Sequence, residues 1–196
     1  MRKVINIRGT NGSGKSTFPI ELLKRSKDNE QIDFITEEGV KAALTVLHDT
    51  QWVFLGKYKG VKTGGLDTIR TTQAIKDSLH KALVEYPTYN VIMEGILCST
   101  VRSTYIELFD EVAMTYGVDI VIVGLTTPIE VCLERIQERN GGKAINEQLV
   151  IDKHRTVERG LPYFNTAAFH VVKIDTSKYD LPTLIDKFER LYGVNK

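Results

Sequence analysis

Two hydrophobic patterns alternate along the chain. Short, nearly continuous apolar runs fit strands buried on both faces, and runs with apolar residues three and four apart fit amphipathic helices. Residues 3–8, with Val4, Ile5 and Ile7, predict a central first strand. A helix starting at Gly14 or Lys15 and ending near Ser26 follows, with Pro19 in its first turns, where a missing N–H costs little. Residues 32–36 alternate loosely and predict a second strand, 40–47 read as weakly helical, and 52–58 read as an extra strand or extended segment. Residues 59–68 are glycine-rich, basic and irregular. Asp67 or Thr68 there caps a predicted helix over 69–85, whose Ile75, Leu79 and Leu83 lie four apart and which Pro87 stops. A third strand is predicted over 90–96, a helix over 102–116 and a fourth, β-branched strand over 119–125. The helix over 129–139 is broken by Asn140-Gly141-Gly142-Lys143. A helix over 145–159 carries Lys153, His154, Arg155 and Arg159 toward its end, before a last strand at 170–174 and a closing helix at 182–192. Strands alternating with helices predict an α/β domain built on a parallel sheet with crossover helices.

Composition narrows the class without naming an activity. A chain of 196 residues, 42% hydrophobic and 26% charged, suits one domain over 1–196 with a good core. The net charge of +1 neither requires nor excludes nucleic acid, because a local patch can sit on a neutral protein. Cys98 and Cys132 lack metal-ligand spacing and read as reduced, buried small residues. No stretch approaches the ~20 apolar residues of a membrane span. Met1-Arg2-Lys3 leads straight into a strand without a signal-peptide pattern, so a cytoplasmic protein is expected.

The chemistry concentrates after the first strand. Gly9-Thr10-Asn11-Gly12-Ser13-Gly14-Lys15-Ser16-Thr17 matches G-x-x-x-x-G-K-[ST] between a strand and a helix. Its glycines let backbone N–H groups converge on phosphate oxygens, Lys15 reaches the β- and γ-phosphates, and the Ser16 hydroxyl ligates Mg²⁺. Thr17 either adds a hydroxyl to the α-phosphate or simply packs. The loop alone implies a nucleoside triphosphate. Glu94, at the carboxyl end of a buried strand, is a candidate for holding Mg²⁺ through water or for accepting a hydrogen bond from substrate. Arg135 and Arg139 share a helix face before the glycine break and suit the charge of a phosphoryl transition state. Asp175, in Asp175-Thr176-Ser177, is a candidate for edging the adenine.

The phosphate loop together with Leu133-Glu134-Arg135-Ile136 and Arg139 resembles the nucleotide and polynucleotide kinase branch of P-loop NTPases. That resemblance implies a three-layer αβα sandwich, a five-stranded parallel sheet in the order 2-3-1-4-5, and a mobile lid at about 135–160. The branch's common Asp-Arg pair after the third strand is absent, and Glu94-Gly95 stands there. A narrower resemblance lies in Leu55-Gly56-Lys57-Tyr58, Gly64-Gly65-Leu66-Asp67-Thr68-Ile69 and Met93-Glu94-Gly95-Ile96-Leu97, which look like bacteriophage 5-hydroxymethyluracil DNA kinases. Thr63 stands where that pattern usually has a cysteine. The resemblance implies transfer of the γ-phosphate of ATP to the 5-hydroxymethyl group of a base in DNA, a step in base hypermodification.

On that reading, the segment at about 50–68 receives the acceptor, with Lys57, Tyr58, Gly64, Gly65, Asp67 and Glu94 as substrate-binding candidates. Asp67 is the first choice for the carboxylate that takes the hydroxyl proton, and Glu37 and Glu38 compete with it. Lys57, Lys59 and Lys62 are expected to meet DNA phosphates, and Tyr58 or Trp52 to stack on a base. Two other readings stay open: a small-molecule or nucleoside kinase of the same kind, and an ATP-binding switch or toxin-like module.

Overall fold

The computed structural model describes residues 1–60, 64–167 and 169–193, so Lys62 and Thr63 lie outside the described residues. The first strand is β1 (Lys3–Arg8), buried on both faces as its apolar run requires. It pairs in parallel with β5 (Asn90–Glu94) on one side and β6 (Asp119–Leu125) on the other. Beyond β5 come β4 (Trp52–Leu55), β3 (Lys41–Leu47) and β2 (Asn29–Ile35), and beyond β6 comes β7 (His170–Ile174).

The sheet therefore has seven strands in the order β2-β3-β4-β5-β1-β6-β7, and it is mixed. This corrects the expected five-stranded parallel sheet. Five strands, β4-β5-β1-β6-β7, do run parallel, and numbered among themselves they follow 2-3-1-4-5. The second place in that order belongs to the extra strand expected at 52–58. The segment 32–36, expected there, belongs instead to β2, which joins β3 as an antiparallel pair added at the sheet edge. The weak helix expected over 40–47 is β3. Ala42, Ala43 and Leu44 favour helix locally, but a run apolar at almost every position fits a strand covered on both faces.

Helices cover both faces. On one face, α2 (Thr72–Glu85), α4 (Ser103–Tyr116) and α6 (Glu147–Thr166) bury Leu79, Phe109 and Phe164 against Val4, Val53 and Val91. On the other, α1 (Thr17–Arg25) and α7 (Leu181–Tyr192) bury Phe18 and Phe188 against Ile5, Phe54 and Ile92. Trp52 is 1% exposed and stacked on Phe188, so it is a core residue and not the base-stacking platform expected of it. The cap of α2 is Thr71, whose hydroxyl accepts from the Ala74 N–H at 3.1 Å, in place of Asp67 or Thr68. Among the described residues, no helix is long and apolar enough to cross a membrane.

Two short helices complete the chain's path past the sheet. The helix α3 (Ile96–Thr100), which the hydrophobic pattern does not show, begins two residues after β5. The helix α5 (Ile129–Arg139) follows β6 as expected. The segment expected as a lid divides in two. Residues 137–149 are exposed throughout apart from Ile145, which is half-buried, whereas Val150, Val157 and Gly160 on α6 are buried. Thr10 on the phosphate loop donates its hydroxyl to the Val150 carbonyl at 3.2 Å, which ties α6 to the loop.

Candidate active site

The carboxyl ends of β1, β5 and β6 converge on a cleft of about 610 Å³. Asn11, Gly12, Gly14, Lys15, Ser16 and Thr17 form one wall, and Tyr58, Gly64, Asp67 and Ile96 face them. Arg135, Arg139 and Thr176 lie at a third side.

The phosphate loop is held from behind by hydroxyls. Thr176 donates to the Ser13 carbonyl at 3.1 Å, and the Thr127 and Thr176 hydroxyls are 2.8 Å apart. Ser99 accepts from the Gly9 N–H at 3.2 Å. Gly12 has φ +77°, and a side chain there would meet the Cys132 carbonyl oxygen at 2.3 Å, so this turn admits glycine only. Lys15 folds back to donate to the Thr10 carbonyl at 2.8 Å. Burial lowers the pKa of its ammonium, while the charge of Glu94 opposes that shift. The Asn11 side-chain oxygen is buried without a hydrogen-bond partner among the described residues.

Glu94 is the buried acid of the site. One carboxylate oxygen accepts from Ser16 at 3.2 Å, the other from Tyr58 at 2.9 Å. Burial pushes its pKa up to about 7, against the pull of the Lys15 charge and of both hydroxyls. The folded chain therefore keeps a proton on Glu94 that the unfolded chain has lost. This stabilisation is complete below pH 4.5 and disappears as pH rises through about 7. Its size is on the order of 3 kcal/mol. Melting temperatures of the nucleotide-free protein from pH 5 to 7.5 should fall more steeply for the parent chain than for Glu94→Gln. Parallel curves would refute this account of Glu94.

Tyr58 is thus committed to Glu94 and buried edge-on against Phe54, which removes it as an exposed base-stacking residue. The Gly64-Gly65 turn folds over it. Gly65 has φ +69°, and a side chain there would stand 2.4 Å from a Glu94 carboxylate oxygen. Lys57 donates to Asp33 at 2.8 Å and Lys59 to the Asn29 carbonyl at 3.2 Å, so both side chains reach toward β2 and away from the cleft.

Asp67 sits at the mouth on a short 3₁₀ turn (Leu66–Thr68). One carboxylate oxygen accepts from the Ile96 N–H at 2.9 Å, the first free donor of α3. The other makes no hydrogen bond among the described residues, and the residue is exposed on the cleft. Glu37 and Glu38 stand elsewhere. They lie in the exposed turn between β2 and β3, Glu38 accepts from Thr71 at 3.3 Å, and neither lines the cleft. Their strand is four places from β1, ~19 Å away at the usual interstrand spacing.

Arg135 donates to the Thr176 hydroxyl at 2.8 Å and lies 3.5 Å from the Gly12 carbonyl, so it braces the loop from outside. Arg139 lines the cleft without a hydrogen bond among the described residues. Asp175 turns onto Ser177 and Lys178 and borders a separate crevice, and its neighbour Thr176 lines the cleft instead.

Sequence reasoning missed Arg8, which is 1% exposed. It donates to the Ser99 and Val101 carbonyls at 2.9 and 2.8 Å and to the Asn6 side chain at 3.0 Å, over the Phe164 ring. Burial lowers its pKa to about 10. Arg8 thus holds the carboxyl end of α3 while Asp67 holds its amino end. An arginine inside an apolar strand was the only signal for it.

The chain is also similar to known proteins over most of its length. A family model described as 5-hmdU DNA kinase matches residues 2–172. The 5-hmdU DNA kinase of Pseudomonas phage M6 is 37% identical over 161 residues, covering 80% of this chain and 82% of that protein. That of Bacillus phage SP10 is 35% identical over 189 residues, covering 94% of this chain but 29% of that much longer protein. The 5-hmdU DNA kinase 1 of Salmonella phage ViI is 35% identical over 152 residues, 77% of this chain and 66% of its own length. Among solved structures, the tunicamycin resistance protein of Deinococcus radiodurans superposes with a TM-score of 0.52 at 15% identity over 100% of this chain and 98% of its own, a likeness of fold alone. With Gly64 and Asp67 on the phosphate-loop cleft, Glu94 bonded behind it to Ser16 and Tyr58, and a family match over residues 2–172, the chain belongs to the 5-hmdU DNA kinase family.

Proposed function

We propose that this chain transfers the γ-phosphate of ATP to the 5-hydroxymethyl group of 5-hydroxymethyluracil in DNA. The observation that carries the reading is Asp67. One of its oxygens is anchored by the Ile96 N–H and the other has no hydrogen-bond partner among the described residues, and it faces Lys15 and Ser16 across the same cleft. A kinase needs a carboxylate placed in this way to orient an alcohol and accept its proton.

The acceptor oxygen forms a bond to the γ-phosphorus, the bond from that phosphorus to the bridging oxygen breaks, and ADP leaves. The alcohol proton goes to Asp67. Lys15 leaves the Thr10 carbonyl to meet the phosphates, and Arg139 adds positive charge from the side. Ser16 and Glu94 present a hydroxyl and a carboxylate oxygen 3.2 Å apart, hard donors that fit Mg²⁺. When bound there, the ion supplies neutralisation of phosphate charge. Tyr58 holds the second Glu94 oxygen and fixes the direction of the first.

The test is transfer of radiolabelled γ-phosphate to oligonucleotides containing thymine or 5-hydroxymethyluracil, beside the free nucleosides. Label is expected on the 5-hydroxymethyluracil oligonucleotide. Label on free nucleosides alone would reject DNA as the acceptor.

A further inference from the structure

The basic residues toward the end of α6 take no part in the cleft, yet they form an ordered strip. Arg155, Arg159 and Tyr163 recur every four residues, so they share one helix face at intervals of ~6 Å. All three are exposed, Tyr163 at 49%. The Arg102 guanidinium lies over the Tyr163 ring, 3.6 Å from its centroid. Arg102 comes two residues after α3, whose first residue, Ile96, lines the cleft, and whose Leu97 is 51% exposed. An accessible surface therefore leads from the acceptor side of the cleft along α3 to the Arg102–Tyr163 pair, and on to Arg159 and Arg155. The acid bonded into it is Asp152, 3.9 Å from Arg155, an exposed pair that solvent screens.

Resting on the DNA kinase reading above, we propose that this strip is the track for the DNA strand flanking the modified base, engaged as a single strand. Guanidiniums at regular intervals neutralise successive phosphates, and an exposed aromatic ring backed by arginine offers a flat surface for a neighbouring base. The target nucleotide leaves the base stack to enter the cleft, so the strand beside it is unpaired where it meets the strip. Lys57 and Lys59 lie outside the strip, their side chains directed at β2.

The experiment measures fluorescence anisotropy of a labelled single-stranded oligonucleotide containing 5-hydroxymethyluracil, across a salt series, with label transfer to the same oligonucleotide. For Arg155→Ala with Arg159→Ala, the dissociation constant should rise at least ~10-fold, and the slope of log affinity against log salt should shrink by about 1.4. Tyr163→Ala should weaken binding by roughly 10-fold and Tyr163→Phe should restore it. The KM for ATP should not move in any of these variants. Unchanged affinity and slope in the arginine double variant would overturn the track, as would a parent protein that binds no single-stranded DNA. Intact binding with label on free nucleoside alone would strike the DNA kinase reading and leave the strip as a DNA contact.

Discussion

Replacing Lys15 with alanine is expected to lower phosphate transfer at least ~10³-fold at saturating ATP, the order found when a preorganised charge on a phosphoryl transition state is removed. The argument begins with burial. The Lys15 side chain lies inside the cleft wall, where its charge is costly, and the Thr10 carbonyl and, among the nearby charges, chiefly Glu94 offset that cost. A buried ammonium held by a single backbone carbonyl gains from a polyanion that can replace it. The gain grows as negative charge builds on the transferring group, so the loss should fall mainly on turnover and less on the KM for ATP. A second readout follows from the same geometry. The Lys15 charge is the largest influence holding the Glu94 pKa down against burial, so without it Glu94 should keep its proton to higher pH. The pH-dependent fall in melting temperature should then move upward in the variant. Single-turnover label transfer checks the first effect, and turnover within tenfold of the parent would remove Lys15 from the chemistry.

How much of this was legible beforehand depended on whether a feature is local. The phosphate loop is written in nine consecutive residues, because a tight anion cradle leaves little freedom in spacing. That the inner strands run parallel also followed from the alternation of strands and helices, whereas their order came only from the family resemblance. The antiparallel pair β2–β3 did not. Its inner member is apolar on both faces, and Ala42-Ala43-Leu44 taken locally favours helix, so only the helices packed above and below reveal it as a strand. The short α3 was invisible because five residues carry no period, and its ends are fixed by residues distant in sequence, Asp67 and Arg8. The same limit explains Tyr58 and Trp52. An aromatic residue near a basic loop reads as a stacking platform, whereas here one ring is buried on an acid and the other on Phe188.

Asp67→Asn should reduce turnover by at least ~100-fold while leaving the KM for ATP and the melting temperature nearly unchanged. The asparagine carbonyl can still accept from the Ile96 N–H, so α3 keeps its amino-terminal partner and only proton acceptance is lost. Asp67→Ala provides the contrast. It should lose the same turnover and also about 1 kcal/mol of stability, because the first N–H of α3 is left without its side-chain acceptor. If the carboxylate served α3 alone, the asparagine variant would retain full activity and the alanine variant would lose stability first. Retained turnover in Asp67→Asn would therefore pass the proton-accepting role to Glu94, the buried carboxylate that lies behind the cleft wall, bonded to Ser16. Glu94 is poorly placed for that work. Both its oxygens already accept hydroxyl hydrogen bonds, and it stands beside the lysine that must meet the phosphates, so a proton taken there would weaken the charge balance of the nucleotide site itself. On the proposed mechanism, separating the two acids, one at the mouth with an oxygen unbonded among the described residues and one buried behind the nucleotide site, would let the chain accept a proton from the alcohol without disturbing the charges that hold the nucleotide.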